Sequence, residues 1–142
     1  DPFIVTRDLV GCEFLGFKIV KYEDYYIPQY NIERLLAAFC YCIESLTDSA
    51  CLSKAWSLTI MSAGNGRQVH SEMCAALKMY YFYLEDSTDP TILAYIDAGI
   101  PSYEHCISFY LGWECYFDTS LFDQSTIGLV GGINCSDHQN EW

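Results

Sequence analysis

Cys40-Tyr41-Cys42 places two thiols on either side of one tyrosine, inside the apolar stretch "LLAAFCYCIESL". They belong to a set of eight, Cys12, Cys40, Cys42, Cys51, Cys74, Cys106, Cys115 and Cys135, in a chain whose three histidines are His70, His105 and His138. Such groups can ligate a metal, run thiol redox chemistry or form disulfides. Zinc sites use closely paired cysteines or histidines at short fixed spacings. Here the cysteine pairs are separated by one and by eight residues, and the histidines are scattered. His70 and Cys74 would share one helical face, but nothing nearby in sequence completes a ligand set, so no metal is expected. Redox catalysis favours Cys-x-x-Cys at a helix N-terminus, where the helix dipole lowers the thiol pKa. Cys40 and Cys42 fall inside a helical pattern and, two positions apart, point to different faces. Each then reaches a different neighbour, and the expectation is a node of a disulfide framework containing all eight cysteines. Sequence alone does not choose the pairing.

The adjacent carboxylates Glu23-Asp24 and Glu85-Asp86 resemble a catalytic acid and base only superficially. Both pairs lie near expected helix ends and precede a proline, which reads as a repeated turn. No Ser-His-Asp order, phosphate-cradling glycine loop or cofactor fingerprint stands out. Neither enzymatic activity nor a cofactor is expected.

The chain has 142 residues and a net charge of −12. Residues 1–71 carry six Lys/Arg against eight Asp/Glu, whereas residues 72–142 carry one Lys against eleven acids. A field of this sign repels nucleic acid and anionic membranes, keeps an aromatic-rich chain in solution and can attract a basic partner. Dense, even cysteine usage in an acidic chain points to the oxidising secretory route. The start "DPFIVTRD" reads as a mature product whose leader has been removed. The uncharged run "STIGLVGGINCS" is too short and glycine-rich to span a membrane, so a soluble secreted protein is expected.

Positioning these residues falls to two halves that share an order of features. "CEFLGFKIVKYEDYYIP" and "CAALKMYYFYLEDSTDP" align cysteine, leucine, the Glu-Asp pair and proline, after which Cys42 and Cys51 match Cys106 and Cys115. The common order suggests an internal repeat, with residues 1–65 as the first unit and 66–142 as the second, the latter ending in an irregular tail. Cys40 and Cys135 lack counterparts and are a natural further bridge.

Each half also reads as helical. Asn31 is a plausible cap for a helix with Ile32, Leu35, Leu36, Phe39, Cys40, Ile43 and Leu46 on one face. Upstream, Cys12, Leu15, Ile19 and Tyr22 keep helical spacing, and downstream Leu52, Ala55, Trp56 and Ile60 do so until "AGNGR". In the second half Ser71 can cap a helix through Leu84, Asp89-Pro90 opens a short helix that Gly99 ends, and Ser102 starts one through Phe117. No run alternates convincingly with period two. The expected fold is therefore an all-α, disulfide-stabilised helical bundle of two related repeats, packed with pseudo-twofold symmetry around Gly64 to Gly66. Asn134-Cys135-Ser136 fits a glycosylation acceptor.

Tyrosine gives large contact area at low entropic cost and is enriched in recognition surfaces. Tyr80 and Tyr81 are assigned to the core by their helical spacing, whereas Tyr25 and Tyr26, expected in a loop, are assigned to a contact surface.

An acidic chain with two cysteine-bearing halves and a Cys-Tyr-Cys motif resembles the BICYCLE proteins, secreted effectors of gall-forming aphids and their relatives. The match is literal at Cys40, Tyr41 and Cys42. In the second half Cys106, Tyr110 and Cys115 occur in the same order without being contiguous. The resemblance implies a salivary effector delivered into plant tissue and linked to gall development, with no enzymatic chemistry to carry over. Its partner would be a host plant protein. The alternative is a secreted helical carrier of a small apolar ligand, similar to odorant-binding proteins, although their characteristic Cys-x3-Cys is missing.

Overall fold

Asn31, Thr47, Asp89 and Ser102 open four helices by the same device: a side-chain oxygen accepts a backbone N–H that the first helical turn leaves unpaired. The computed structural model describes residues 10, 13–14, 17–45, 47–112 and 118–122, with backbone alone for 13–14, 41–45 and 119. Its helices are α1 (Ile32–Ser45), α2 (Asp48–Met61), α3 (Arg67–Tyr83), α4 (Pro90–Ala98) and α5 (Tyr103–Tyr110). Short 3-10 turns occupy Ser62–Asn65 and Thr119–Leu121. Pro90 begins α4 where no N–H is needed, and Gly99, at φ 81°, ends it.

Ahead of the helices lies an antiparallel sheet in the order β1-β2-β3, made of the two-residue β1 (Glu13–Phe14), β2 (Phe17–Tyr22) and β3 (Tyr25–Tyr30). Val20 pairs with Ile27 and Tyr22 with Tyr25, around a two-residue turn at Glu23-Asp24 in which Glu23 takes φ 53°. The all-α expectation is corrected here. "FKIVKY" places apolar residues at 17, 19, 20 and 22, which fits a helical face as well as a strand. β3 buries Ile27 and Tyr30, three apart, around the intermediate Pro28 and Gln29. Neither strand alternates cleanly, while the β-branched pair Ile19-Val20 and the tyrosines favour extended backbone.

The helical-repeat symmetry is corrected with it. Residues 17–28 lie in the hairpin, whereas their counterparts 79–90 run from the end of α3 through the turn after it to the first residue of α4. The shared spacing of Glu-Asp and proline therefore occurs on two different backbones. One core cluster draws on both halves, from Ile27 and Leu35 through Trp56 and Leu77 to Ile107 and Phe122. The disulfide-stabilised expectation is also corrected, since Cys40, Cys51, Cys74 and Cys106 are in no disulfide. Cys12, Cys115 and Cys135 lie outside the described residues, as does the side chain of Cys42; the proposed Cys40–Cys135 bridge meets a free Cys40.

Packing rather than covalent bonding organises the described part. α2 buries Cys51, Leu52 and every residue from Ala55 to Met61, so it has no solvent face over its second half. α1, α3, α4 and α5 all pack on it. Trp56 anchors an aromatic group, with ring centroids 5.9 Å from Tyr95 of α4 and 5.3 Å from Phe122, which lies 5.2 Å from Phe109 of α5. The hydroxyls that α2 and the turn after it take into this core are satisfied locally. Ser57 donates to the Ser53 carbonyl at 3.0 Å, Thr59 to Ala55 at 2.8 Å and Ser62 to Thr59 at 2.6 Å.

The sheet docks on the turn that follows α2. Gln29 Nε2 donates to the Gly64 carbonyl at 3.4 Å, and Asn65 Nδ2 to the Tyr30 carbonyl at 2.8 Å. The approach is so close that a Cβ on Gly64 would collide with the Pro28 carbonyl, a backbone group with no freedom to rotate away. Gly64→Ala should therefore lower the unfolding free energy by at least about 2 kcal/mol, read as a fall in denaturant midpoint. An unchanged midpoint would mean that the hairpin does not sit on this turn.

Candidate functional site

Helical periodicity explains why a histidine is buried here. His70, Met73, Leu77 and Tyr81 form the inward face of α3, with His70 only 3% exposed. α3 starts at Arg67, earlier than a cap at Ser71 would place it. Gly66, at φ 99°, reverses the chain after the 3-10 turn and opens the helix there, which leaves Ser71 exposed in its interior. Cys74 follows His70 by one turn, on the same side. α5, packed against α3, brings Cys106 to the same imidazole.

The sulfur of Cys106 lies 3.5 Å from His70 Nε2, and that of Cys74 lies 3.5 Å from Nε2 and 3.6 Å from Nδ1. The Cys74 thiol also donates to the Pro101 carbonyl at 3.5 Å. Tyr103 closes the outer side. Its ring stands 5.8 Å from His70 in an edge-on arrangement, 6.3 Å from Tyr22 of β2, and beneath the Arg67 guanidinium at 4.4 Å. Arg67 is held over it by Glu104 at 2.7 Å, an ion pair open to solvent that contributes little to stability by itself. Hairpin, α3 and α5 thus all meet at one cluster.

Burial sets the protonation states. It holds the His70 imidazole below its usual range, partly offset by the Pro101 carbonyl. It pushes the Cys74 thiol up to about 11 and raises Cys106 further, with Cys74 and Glu104 adding to the effect. At neutral pH the cluster is two neutral thiols against a neutral imidazole, not the thiolate–imidazolium pair of a cysteine nucleophile. Cys74 sulfur, almost equidistant from both ring nitrogens, lies off the in-plane axis along which either nitrogen would bind a metal. No group of three or more His, Cys, Asp or Glu among the described residues can hold a metal ion. What the arrangement offers is a pair of thiols sharing one proton acceptor.

The other singled-out residues are dispersed. Cys40 is exposed on α1, beside Tyr41 and Cys42, whose side chains are not described. Cys51 is buried on α2, near Tyr80, whose hydroxyl donates to Asp48 at 3.0 Å. Tyr110 is partly buried at the end of α5, and Tyr81 is buried in α3. Tyr25 and Tyr26 lie on β3, 43% and 44% exposed, just after the hairpin turn. Glu23-Asp24 and Glu85-Asp86 both fall in turns, one closing the hairpin and one following α3. Pairing Cys74 with Cys106 across helices was not legible. The spacing of His70 and Cys74 pointed to one face, but their third member arrives from α5.

A second feature escaped the sequence reading. Met79, Phe82 and Tyr83 are 75%, 73% and 76% exposed, and at positions i, i+3 and i+4 they share the outer face of α3. Tyr83 stacks on Tyr80 at 6.1 Å, and the exposed acids Glu85 and Asp86 follow directly. No helix of the described residues is long and apolar enough to cross a membrane. No family model, curated protein or solved structure matches the chain.

Two measurements follow from these environments. In the fully reduced protein at pH 7.5, Cys40 should react with iodoacetamide at least ~10-fold faster than Cys74, while Cys51 and Cys106 react only on unfolding. Peptide mapping over time reads this, and equal rates at all four would contradict the burial. Because His70 is held below its unfolded pKa, the unfolded chain binds the additional proton first as pH falls. Stability should therefore be full above about pH 6.5 and decline below it until the folded imidazole itself titrates. Denaturant titrations of wild type and His70→Gln should show that this part of the slope is missing from the variant.

Proposed function

We propose that this chain is a secreted insect effector, delivered into plant tissue and linked to gall development, which acts by binding a host protein. The observation that carries the binding role is the outer face of α3. Met79, Phe82 and Tyr83 stand outside the core on the same helix whose other face already supplies Met73, Leu77 and Tyr81 to it. A helix apolar on both sides at one end presents area that a partner can desolvate, and large side chains of this kind dominate interface energetics. Glu85 and Asp86 at its edge, within a half of the chain almost free of basic residues, favour a partner with a basic rim. Tyr25 and Tyr26, with Glu23-Asp24 beside them, repeat this pairing of aromatic and acid on the hairpin. The secreted origin and the plant host rest on the resemblance to BICYCLE proteins and on the density of cysteine.

The test is capture from plant extract by the full-length native protein, with the unfolded chain as control, followed by affinity measurement on the recovered plant protein made separately. Phe82→Ser/Tyr83→Ser should weaken binding at least about tenfold, and Tyr25→Ala/Tyr26→Ala reports whether the hairpin takes part. Binding unaffected by either double variant, or no plant protein held by the native form, would defeat the proposal. A small apolar molecule retained in the native mass spectrum would instead favour the carrier.

A further inference from the structure

We propose that Cys74 and Cys106 are a redox pair, which closes to a disulfide between α3 and α5 by exchange with a low-molecular-weight disulfide such as oxidised glutathione, His70 accepting the Cys106 thiol proton. This goes beyond the binding role and does not depend on it. Both cysteines are free thiols in the structure; the inference concerns the reaction that their placement permits.

Three observations carry it. Each sulfur touches the same ring nitrogen, His70 Nε2, at 3.5 Å, so the sulfurs are separated by at most twice that distance, on helices already packed together. Other described thiols are placed elsewhere, with Cys40 exposed on α1 and Cys51 beside Tyr80, so the fold selects this pair among them. Finally, access is unequal. Cys74 is partly exposed, while Cys106 is fully buried at 0%, and this fixes the order of the steps.

The Cys74 thiol, on the partly exposed side of the cluster, gives its proton to solvent, and its sulfur attacks the small disulfide RS–SR. A Cys74–SR bond forms, the RS–SR bond breaks, and RS⁻ leaves to take up a proton as RSH. Cys106 sulfur then attacks Cys74 sulfur as its own proton passes to the imidazole, displacing a second RS⁻ that leaves as RSH. The two cysteines lose two electrons and two protons in total, and both are recovered in the two molecules of RSH. Tyr103, beneath Arg67, shields the outer side of His70, which leaves Cys74 as the point of entry.

The experiment uses the full-length protein, reduced and then equilibrated in glutathione buffers of increasing oxidised fraction, quenched by alkylation. Trypsin together with a glutamate-specific protease releases "MCAALK" (73–78) and "HCISFYLGWE" (105–114), each with one cysteine, and mass spectrometry reads their linkage. The expected result is that these two peptides are joined in most molecules under oxidising buffer, and that the melting temperature rises by several degrees with the bridge. Cys74→Ser should leave the 105–114 peptide unlinked. His70→Gln should slow closure about tenfold or more while joining the same two peptides. Linkage of either cysteine to a different partner, or alkylation of both in the most oxidising buffer, would overturn the pair. An unchanged closure rate in His70→Gln would overturn the part assigned to the imidazole.

Discussion

A helix without a solvent face has to be covered on every side, and α2 imposes that condition on the rest of the chain. From Ala55 to Met61 each of its residues is buried, including Ser57 and Thr59, whose hydroxyls would be costly there without partners. They are tolerated because each donates a hydrogen bond to a carbonyl of its own helix one turn back, so these donors are satisfied within α2. Around this stretch the neighbours supply shape and apolar area. α4 and α5 do so through the aromatic group around Trp56, α3 through Met73, Leu77 and Tyr81, and α1 through Leu35 and Phe39.

The hairpin joins this assembly through backbone rather than through side-chain bulk. Gly64 is needed because the β3 carbonyl of Pro28 occupies the space a side chain would fill, and Gln29 and Asn65 fix the register from either side. One consequence reaches the thiol cluster. With β2 held against the helical turn, Tyr22 meets Tyr103, which in turn covers His70. The close approach at Gly64 and the enclosure of the imidazole are thus linked through one sheet.

Burial at the cluster and exposure on the outer face of α3 serve different chemistry. Inside, low polarity keeps both thiols and the imidazole neutral, which makes them quiet at neutral pH and leaves proton transfer to the shared contact. Outside, Met79, Phe82 and Tyr83 keep their area in water, where only a partner can bury it. The two features lie on opposite faces of one helix, so occupation of the outer face need not disturb the inner one.

Local chemistry settled much of this in the sequence. Asn31, Asp89-Pro90 and Ser102 announced their helices because a cap and a proline act on backbone groups within a turn of themselves, and His70 with Cys74 could be placed on one face from spacing alone. The hairpin was not legible, because "FKIVKY" fits both periods and Pro28 with Glu23-Asp24 reads as a helix boundary as readily as a strand turn. The likeness of the two halves was misleading for a related reason: matched cysteines, acids and proline say nothing of the backbone between them. Cys106 joins the cluster only because α5 packs on α3, and Phe82 and Tyr83 are exposed only because the core is already filled from the other face. Such outcomes depend on which surfaces meet over long separations in the chain, and only the tertiary structure decides that.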